Sequence, residues 1–439
     1  MNAVFAPSQP RGAVRVPASK SCAHRMLICA AFADGESALH NLEFSEDIFA
    51  TINCLRVLGA EIEIEGSTVR VRGGVNANAA RAEFSAKSNP GAAYRAFSTS
   101  RSTGDSVHGA RNASSLPALS CRESGSTLRF LIPAALLSGG GVFRGTARLL
   151  DRGVGVYEAL LRDCARFERT GDTELRVSGL LCAGKYAVPG DVSSQFISGL
   201  LFALPVLKGD SVLTVLPPFE SRGYVDLTLD ALRRFGICVR REGDRFFIPG
   251  DQHYRAADAT CEGDWSQAAF FFAMNALGGE VQVDGLNPDS LQGDRACAEM
   301  LRRIQSGAME ADLSDCPDLA PALFAAAAAC GHGARFTGTR RLRIKESDRA
   351  AAMARELAKF GARLDVLENE VRVAPGAIHA PMEALDGCND HRIVMALSAL
   401  AIFTGGAIRG AEAVRKSYPG FFRDLQSLGV SVEVQEEGA

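Results

Sequence analysis

Hydrophobic and polar residues follow one repeated order along the chain: an amphipathic helical pattern, a glycine, then two short segments in which apolar and polar residues alternate. The glycine is typical of a helix that ends in the left-handed conformation. The alternation predicts the two half-buried strands of a hairpin. Clear copies surround Gly59, Gly236, Gly361 and Gly429, and weaker copies lie near Phe167 and Gly307. Six copies in 439 residues give units of roughly 70 residues, the size of a small α+β subdomain.

Each copy contains a second helical segment that is apolar on nearly all sides, which predicts a buried helix. Polar, capping or charged residues mark where these helices begin. The six starts are Lys20-Ser21, Ser124-Gly125-Ser126, Ser193-Ser194-Gln195, Asp264-Trp265-Ser266, Pro317-Asp318 and Asp390-His391-Arg392. Routine capping does not call for cations there, because a positive side chain opposes the dipole of a helix N-terminus. Four cations nevertheless lie beside these starts, Lys20, Arg25, Arg129 and Arg392, and we therefore expect a shared anionic ligand.

A cationic segment precedes another predicted helix. Residues 341–349 read Arg-Leu-Arg-Ile-Lys-Glu-Ser-Asp-Arg and run into an alanine-rich helical pattern. Bound anions would compensate these cations, and Glu346 among them could transfer a proton beside such an anion. A solvated, salt-bridged start of a surface helix is the alternative.

Residues 75–118 interrupt the repeat. They are rich in Ala, Ser, Arg and Asn and show little periodicity, which predicts an exposed loop or a disordered insertion of roughly 30 residues in the first unit.

Composition narrows the classes of function. The chain is 47% hydrophobic and 23% charged with a net charge of -3, so no global field favours nucleic acid or an acidic membrane. Its 12 cysteines form no Cys-x-x-Cys pair and mostly lie in apolar surroundings. We expect reduced thiols in a cytoplasmic protein, with no metal site and no membrane segment.

Several motifs occur in one order along the chain: Ser19-Lys20-Ser21 with Arg25, Glu123 to Phe130 (Glu-Ser-Gly-Ser-Thr-Leu-Arg-Phe), Ser193-Ser194-Gln195, Lys345 to Arg349, Asp390-His391-Arg392 and Lys416 to Pro419. No single motif is decisive, but the ordered set closely resembles the 5-enolpyruvylshikimate-3-phosphate synthase family over residues 10–430.

The resemblance implies a two-domain inverse α/β barrel of six βαβαββ repeats, with the buried helices starting at the interdomain cleft. The implied domains are residues 19–261, and residues 1–18 with 262–439. The implied reaction transfers the enolpyruvyl group of phosphoenolpyruvate to the 5-hydroxyl of shikimate 3-phosphate and releases phosphate, through a tetrahedral ketal. The resemblance implies no cofactor, no metal, no nucleic-acid partner and a monomer.

The resemblance also implies roles for individual residues. Asp318 resembles the group that accepts the 5-hydroxyl proton, Glu346 the proton donor to C3 of phosphoenolpyruvate, and Lys20 the lysine that contacts both substrates. Residues that resemble shikimate 3-phosphate ligands are Lys20, Ser21, Arg25, Ser193, Ser194, Gln195, Ser221, Asp318 and Lys345. Residues that resemble phosphoenolpyruvate ligands are Lys20, Gly125, Arg152, Gln195, Arg349, Arg392 and Lys416.

Some roles stay open. Arg129, Tyr224 and His391 are expected to line the same pocket, although Tyr224 could equally be a core aromatic and Asp318 a helix cap. The chain departs from the family pattern at Gly153 and Gly223, where Pro is common, and at Arg341, where some members carry an Asn ligand. No ligand role was therefore expected of Arg341.

Two alternative functions remain at this point. One is a sister enolpyruvyl transferase acting on UDP-N-acetylglucosamine. Its family shows a Lys-Asn start, where this chain has Lys20-Ser21, and a loop cysteine, whereas no cysteine of this chain occupies a glycine-rich loop with a partner cation. The other is a non-catalytic anion-binding paralogue, against which the two carboxylates Asp318 and Glu346 argue, because anion binding gains nothing from them.

Overall fold

The computed structural model describes residues 1–75 and 116–436. The insertion predicted at about 75–118 therefore lies almost wholly outside the described residues. The helices are α1 Lys20–Phe32, α2 Glu46–Val57, α3 Gly125–Ala135, α4 Ala147–Asp151, α5 Gly155–Leu160, α6 Ser194–Ala203, α7 Arg222–Arg234, α8 Trp265–Ala276, α9 Cys297–Ser306, α10 Ala320–Cys330, α11 Arg349–Ala358, α12 His391–Thr404 and α13 Phe421–Ser427.

The strands alternate with these helices. They are β1 Asn2–Phe5, β2 Arg11–Arg15, β3 Glu36–His40, β4 Glu61–Glu65, β5 Thr68–Arg72, β6 Ala118–Arg122, β7 Gly140–Gly145, β8 Ala165–Thr170, β9 Glu174–Gly179, β10 Lys185–Pro189, β11 Ser211–Leu216, β12 Arg240–Glu242, β13 Arg245–Ile248, β14 Ala259–Thr260, β15 Glu280–Asp284, β16 Met309–Asp312, β17 Ala334–Thr337, β18 Leu364–Val366, β19 Glu370–Val373, β20 Leu385–Asp386, β21 Gly406–Arg409 and β22 Val432–Gln435.

The predicted repeat is visible in the sheets. Each of five four-stranded sheets has a parallel pair extended by two antiparallel strands; their orders are β14-β3-β5-β4, β6-β7-β9-β8, β10-β11-β13-β12, β16-β17-β19-β18 and β20-β21-β1-β22. In the second, third and fourth of these sheets a helix joins the parallel pair and the other two strands form a hairpin, whereas the first takes β14 and the fifth takes β1 from a distant part of the chain. A parallel pair joined through a helix and followed by a hairpin is a βαβαββ unit. The predicted fold class, a two-domain α/β architecture of repeated units, is confirmed.

One predicted copy is wrong in detail. Within the described ranges, the unit that contains Gly307 has a sheet of only two strands, β2 and β15. The strand after Gly307, β16, pairs in parallel with β17 of the next unit. Only one alternating segment separates Gly307 from the helix start at Pro317, so no second strand exists there to close a hairpin.

Two hydrophobic cores divide the chain. One is built from buried residues between Ala18 and Cys261, and the other from residues between Ala3 and Val16 together with those between Trp265 and Val432. In the second core, β1 pairs with both β21 and β22. We therefore propose residues 19–261, and residues 1–18 with 262–439, as the two domains.

The helices predicted to be buried form the centre of each core. Every residue of α10 from Ala320 to Ala328 is buried, and so is every residue of α12 from His391 to Ile402. Because these helices have no solvent face, only their ends can present polar groups. Of the described helices, none is long and apolar enough to cross a membrane.

Candidate active site

The N-terminal ends of the six buried helices meet at one cavity between the two domains. Its empty volume is about 880 Å³, part of which is open to solvent. The helix-start residues that line it are Lys20, Ser21, Gly125, Ser126, Ser193, Ser194, Gln195, Asp264, Asp318, His391 and Arg392. Free N–H groups and the positive ends of helix dipoles thus converge, an arrangement that suits an anion.

Charged side chains dominate the lining. Among the described residues, eight cations face the cavity: Lys20, Arg25, Arg129, Arg152, Arg341, Lys345, Arg349 and Arg392. Four carboxylates accompany them: Asp47, Asp264, Asp318 and Glu346. This excess of positive charge can hold ligands that carry several negative charges.

Asp318 is surrounded by cations. Lys345 Nζ lies 3.1 Å from Oδ1 and Arg349 Nη1 2.8 Å from it, while Arg392 Nη2 donates to Oδ2 at 2.9 Å. Burial by itself raises the pKa of Asp318, but the charges of these three neighbours outweigh it and hold that pKa well below its usual range. Asp318 is therefore an ionised acceptor in the cavity.

The alternative role of Asp318 as a helix cap is wrong. The residue before α10 is Leu319, and α10 carries no side-chain cap. Five other buried helices do have one, from Ser19, Ser124, Ser193, Asp264 and Asp390.

Glu346 faces Asp318 across the same group of cations. Arg349 Nη2 donates to Oε2 at 2.6 Å, and Arg152 Nη1 of the other domain lies 3.7 Å from Oε1. Burial raises the pKa of Glu346, but Arg349 and Arg152 outweigh it and hold the pKa well below its ordinary value. An anion that neutralised these two arginines would raise the pKa again and allow Glu346 to take up a proton.

Arg349 connects both carboxylates to α12. The residue is 1% exposed, and its Nε donates to Asp390 Oδ2 at 2.9 Å. Burial lowers the pKa of Arg349, but Asp390, Glu346 and Asp318 raise it above its ordinary value, so the charge is fixed. The start of α11 is thus not a solvated surface, which was one interpretation of residues 341–349.

The N-terminal domain contributes two buried arginines. Arg25 donates to Thr228 Oγ1 and to the carbonyl of Tyr224, each at 2.8 Å. Arg129 donates to Gln195 Oε1 at 2.7 Å, and Gln195 Nε2 donates to Ser126 at 3.0 Å. Burial lowers the pKa of Arg25 to about 10 and that of Arg129 to about 9, so both remain cations at neutral pH.

Some buried nitrogens at the cavity have no partner within the described residues. They are Nε of Arg129, Nε of Arg392 and both ring nitrogens of His391. Burial, followed by Lys20 and Arg392, lowers the pKa of His391 well below its usual value, which leaves a neutral ring. Buried polar atoms without partners are costly, so these groups suit a polar ligand.

All but one of the expected site residues line the cavity. The exception is Lys416, whose ammonium donates to the carbonyl of Asn389 at 2.6 Å and to its Oδ1 at 2.7 Å, and pairs with Glu123. These partners hold Lys416 beside the α12 start, next to the cavity wall.

Arg341 was missed by sequence reasoning. It lines the cavity, its Nη2 donates to Ser221 Oγ at 3.0 Å, and its Nε lies 2.5 Å from Glu220 Oε2. Ser221 itself has a left-handed backbone with φ of 56°. The departure from the family pattern concealed Arg341, although it belongs to the cationic segment that the sequence singled out.

Both glycine departures have a structural reason. Gly153 has φ of +72°, which a proline cannot adopt. A Cβ on Gly223 would lie 3.0 Å from the backbone nitrogen of Gly293 and 3.1 Å from the carbonyl of Leu291. Gly223 therefore permits a close approach between α7 and a loop of the other domain.

Hydrogen bonds from arginine side chains to main-chain carbonyl groups also join the domains. Arg148 on α4 donates to the carbonyl oxygens of Arg343, Lys345 and Glu346 at 3.2, 2.8 and 3.1 Å. Arg152 Nε donates to the carbonyl of Ile344 at 3.2 Å. These contacts hold the segment that carries Lys345 and Glu346 against the N-terminal domain, as expected of a closed cleft.

Fold and site together define a two-domain α/β protein with an anion-binding cleft at its helix N-termini. A sequence model of EPSP synthase (3-phosphoshikimate 1-carboxyvinyltransferase) matches residues 4–97 and 95–425. The chain belongs to the EPSP synthase family.

Sequence relatives support the family membership, and solved structures have a similar fold. A 3-phosphoshikimate 1-carboxyvinyltransferase of Clostridium kluyveri is 39% identical, covering 97% of each chain. One from Clostridium perfringens is 35% identical, covering 97% of this chain and 98% of its own. The fold is similar to an EPSP synthase structure from Acinetobacter baumannii, with TM-score 0.73, 24% identity and 99% coverage of both chains. It is also similar to the enolpyruvyl transferase NikO from Streptomyces tendae, with TM-score 0.70, 16% identity and 98% coverage of both.

Proposed function

We propose that this chain transfers the enolpyruvyl group of phosphoenolpyruvate to the 5-hydroxyl of shikimate 3-phosphate and releases phosphate. The reaction belongs to the shikimate pathway of aromatic amino acid biosynthesis. Full-length relatives that carry the name of this activity support the assignment.

One observation carries the proposal at the level of the site. Two of the cavity's carboxylates, Asp318 and Glu346, lie among its cations, and both are hydrogen-bonded to Arg349. Each substrate contains a phosphate and a carboxylate, which accounts for the cations. Neither carboxylate helps to bind an anion, so their presence points to proton transfer.

Each of the two carboxylates carries out a different proton transfer. Asp318, kept ionised by its neighbours, accepts the 5-hydroxyl proton as that oxygen adds to C2 of phosphoenolpyruvate. Glu346 delivers a proton to C3, after phosphoenolpyruvate has neutralised Arg349 and Arg152 and so raised the pKa of Glu346. The tetrahedral ketal then loses phosphate as the C3 proton returns to Glu346, and the proton held by Asp318 leaves with the phosphate. Lys20 contacts both substrates as a point charge.

The proposed ligand sets share Lys20 and Gln195. For shikimate 3-phosphate the set is Lys20, Ser21, Arg25, Ser193, Ser194, Gln195, Ser221, Asp318 and Lys345. For phosphoenolpyruvate it is Lys20, Gly125, Arg152, Gln195, Arg349, Arg392 and Lys416, with Arg129 and His391 in the wall. Lys416 reaches the substrate only if its ammonium turns away from Glu123 and Asn389.

Phosphate release tests the function. The purified chain is incubated with phosphoenolpyruvate and either shikimate 3-phosphate or UDP-N-acetylglucosamine, and released phosphate is measured. We expect release with shikimate 3-phosphate alone. Release with UDP-N-acetylglucosamine would indicate the sister activity, and release with neither acceptor would indicate a binding paralogue.

The structure disfavours the sister activity. That family uses a loop cysteine, and no cysteine is present among the described residues that line this cavity. We also propose a cytoplasmic location, which the 12 free cysteines support, and a monomer, which the family resemblance implies.

A further inference from the structure

The hydroxyl of Tyr224 lies between two carboxyl groups. Its oxygen is 2.9 Å from Asp294 Oδ2 and 3.2 Å from Asp318 Oδ2. Tyr224 belongs to α7 of the N-terminal domain, whereas Asp294, in the short 3-10 turn Gly293–Ala296, and Asp318 belong to the other domain. The contact therefore joins the two domains across the cleft.

This arrangement requires a proton on one carboxyl group. A phenol has one O–H and can donate to only one of two carboxylates, although its oxygen can also accept. Burial and the charge of Asp294 raise the pKa of Tyr224 well above its usual value, so the phenol itself stays protonated. Two hydrogen bonds to Tyr224 are satisfied only if one carboxyl group donates to its oxygen.

The surroundings decide which carboxyl group holds that proton. Asp318 is bonded to three cations and is ionised. Asp294 is 1% exposed, and its Oδ1 has no partner within the described residues. Burial, followed by the charge of Asp318, raises the pKa of Asp294 to about 7. The ionisable groups that face it are Tyr224, Asp318, Arg392, Asp264, Cys297 and Cys316.

We propose that Asp294 is a positioning residue of the closed enzyme: in its acid form it donates to the Tyr224 hydroxyl, which in turn donates to Asp318. The chain of two hydrogen bonds fixes the orientation of the Asp318 carboxylate and leaves it ionised to accept the substrate proton. Asp294 does not touch substrate. This role rests on the proposed function, since it acts through the base of that reaction.

The glycine before Tyr224 makes the contact possible. Gly223 packs against the backbone of Leu291 and Gly293, in the loop that leads to Asp294. A side chain at position 223 would push α7 away from this loop and lengthen the Tyr224–Asp294 hydrogen bond. Glycine in place of proline at position 223 thus occurs together with the interdomain contact between Tyr224 and Asp294.

The acid form of Asp294 can be observed without any substrate. Infrared difference spectra between the wild-type protein and Asp294→Asn are recorded across the neutral range. We expect a protonated-carboxyl band in the wild type, absent from the variant, which fades as the pH rises through about 7. A difference spectrum without this band at about pH 6 would overturn the proposal, whether or not the enzyme turns over.

Kinetics test the positioning role. Above its pKa, Asp294 repels Asp318 and competes for the single Tyr224 proton, so closure weakens. We expect the KM for shikimate 3-phosphate of the wild type to rise about threefold from about pH 6 to about pH 8.5 relative to Asp294→Asn, whose amide donates at either pH. The substrate phosphate ionises equally for both enzymes, so the ratio of KM values is the readout.

Two further variants complete the test. Asp294→Ala should lower turnover more than Asp294→Asn, because alanine leaves the Tyr224 oxygen without a donor. In a Tyr224→Phe background, Asp294→Asn should change KM no further, because the hydrogen bonds that link Asp294 to Asp318 are already lost. Equal pH dependence in the wild type and Asp294→Asn, or an additive effect with Tyr224→Phe, would overturn the positioning role.

Discussion

The guanidinium of Arg152 lies 2.9 Å from the position that a Cβ on Gly125 would occupy. Arg152 comes from the loop after α4 and Gly125 begins α3, so the glycine lets the guanidinium rest against the helix N-terminus. The space in front of both residues is the proposed phosphoenolpyruvate side of the cavity.

Gly125→Ala should therefore displace Arg152 and weaken phosphoenolpyruvate binding. We expect its KM for phosphoenolpyruvate to rise about tenfold, which corresponds to about 1.4 kcal/mol and falls within the usual cost of overpacking. Glyphosate, which by family resemblance occupies the same space, should inhibit the wild type and inhibit the variant less. Gly184→Ala, where a Cβ meets nothing within 4 Å, serves as the control. Unchanged KM and inhibition in Gly125→Ala would place phosphoenolpyruvate elsewhere.

Glu346→Gln should lose most turnover while substrate binding survives. The amide keeps the shape of the side chain but cannot transfer a proton, and general acid–base groups contribute about 10²- to 10⁴-fold. Single-turnover rates and equilibrium binding of shikimate 3-phosphate separate the two effects. Glu368→Gln, an exposed site in the same domain, should match the parent. A near-parent rate in Glu346→Gln would refute the proton-transfer role.

Asp318 should stabilise the fold in a pH-dependent way. Nearby cations lower the pKa of Asp318 in the folded state. The ionised carboxylate therefore contributes to the free energy of unfolding above the unfolded-state pKa of about 3.9, and this contribution is lost as the pH falls through the folded-state pKa. Asp318→Asn leaves three cations without their shared partner and should cost about 3 kcal/mol at neutral pH, with the gap closing in acid.

Urea unfolding at several pH values measures this difference. Asp226→Asn removes a partly exposed carboxylate that lies 2.7 Å from Arg241, and should cost less than about 1 kcal/mol at any pH. A stability gap for Asp318→Asn that stayed constant into acid would contradict the assigned ionisation.

Arg341→Lys should weaken binding of shikimate 3-phosphate selectively. A lysine cannot bond Ser221 and Glu220 together as the planar guanidinium does. We expect the KM for shikimate 3-phosphate to rise about tenfold with little change in the KM for phosphoenolpyruvate. Arg343→Lys, at an exposed neighbouring position, is the matched control. Equal effects on both KM values would argue for a general structural role.

The helix starts were predictable because capping residues and apolar runs are local signals. The six starts, and the cations beside them, could be placed from residues that are adjacent in sequence. The contacts between the domains could not be predicted from the sequence, because they join residues that are distant along the chain. Arg341 is hydrogen-bonded to Ser221, and Tyr224 to Asp294. The absence of a hairpin after Gly307 also depends on a contact with a distant segment, because β16 pairs with β17 of the following unit.

Lys416 shows the limit of motif matching. Its motif agrees with the family, but Glu123 and Asn389 hold its ammonium away from the lining in this structure. A motif identifies which side chains belong near a site, whereas their direction depends on competing partners that the motif does not contain.

The pairing of β1 with β21 and β22 has a consequence for how the chain is made. A ribosome makes residues 2–5 about 400 residues before their partners, residues 406–409 and 432–435. The first domain can complete its core during that interval. The second domain must wait with an open sheet edge until residues 432–435 have been made, so translation order makes it the later of the two to fold and exposes that edge to aggregation for longer.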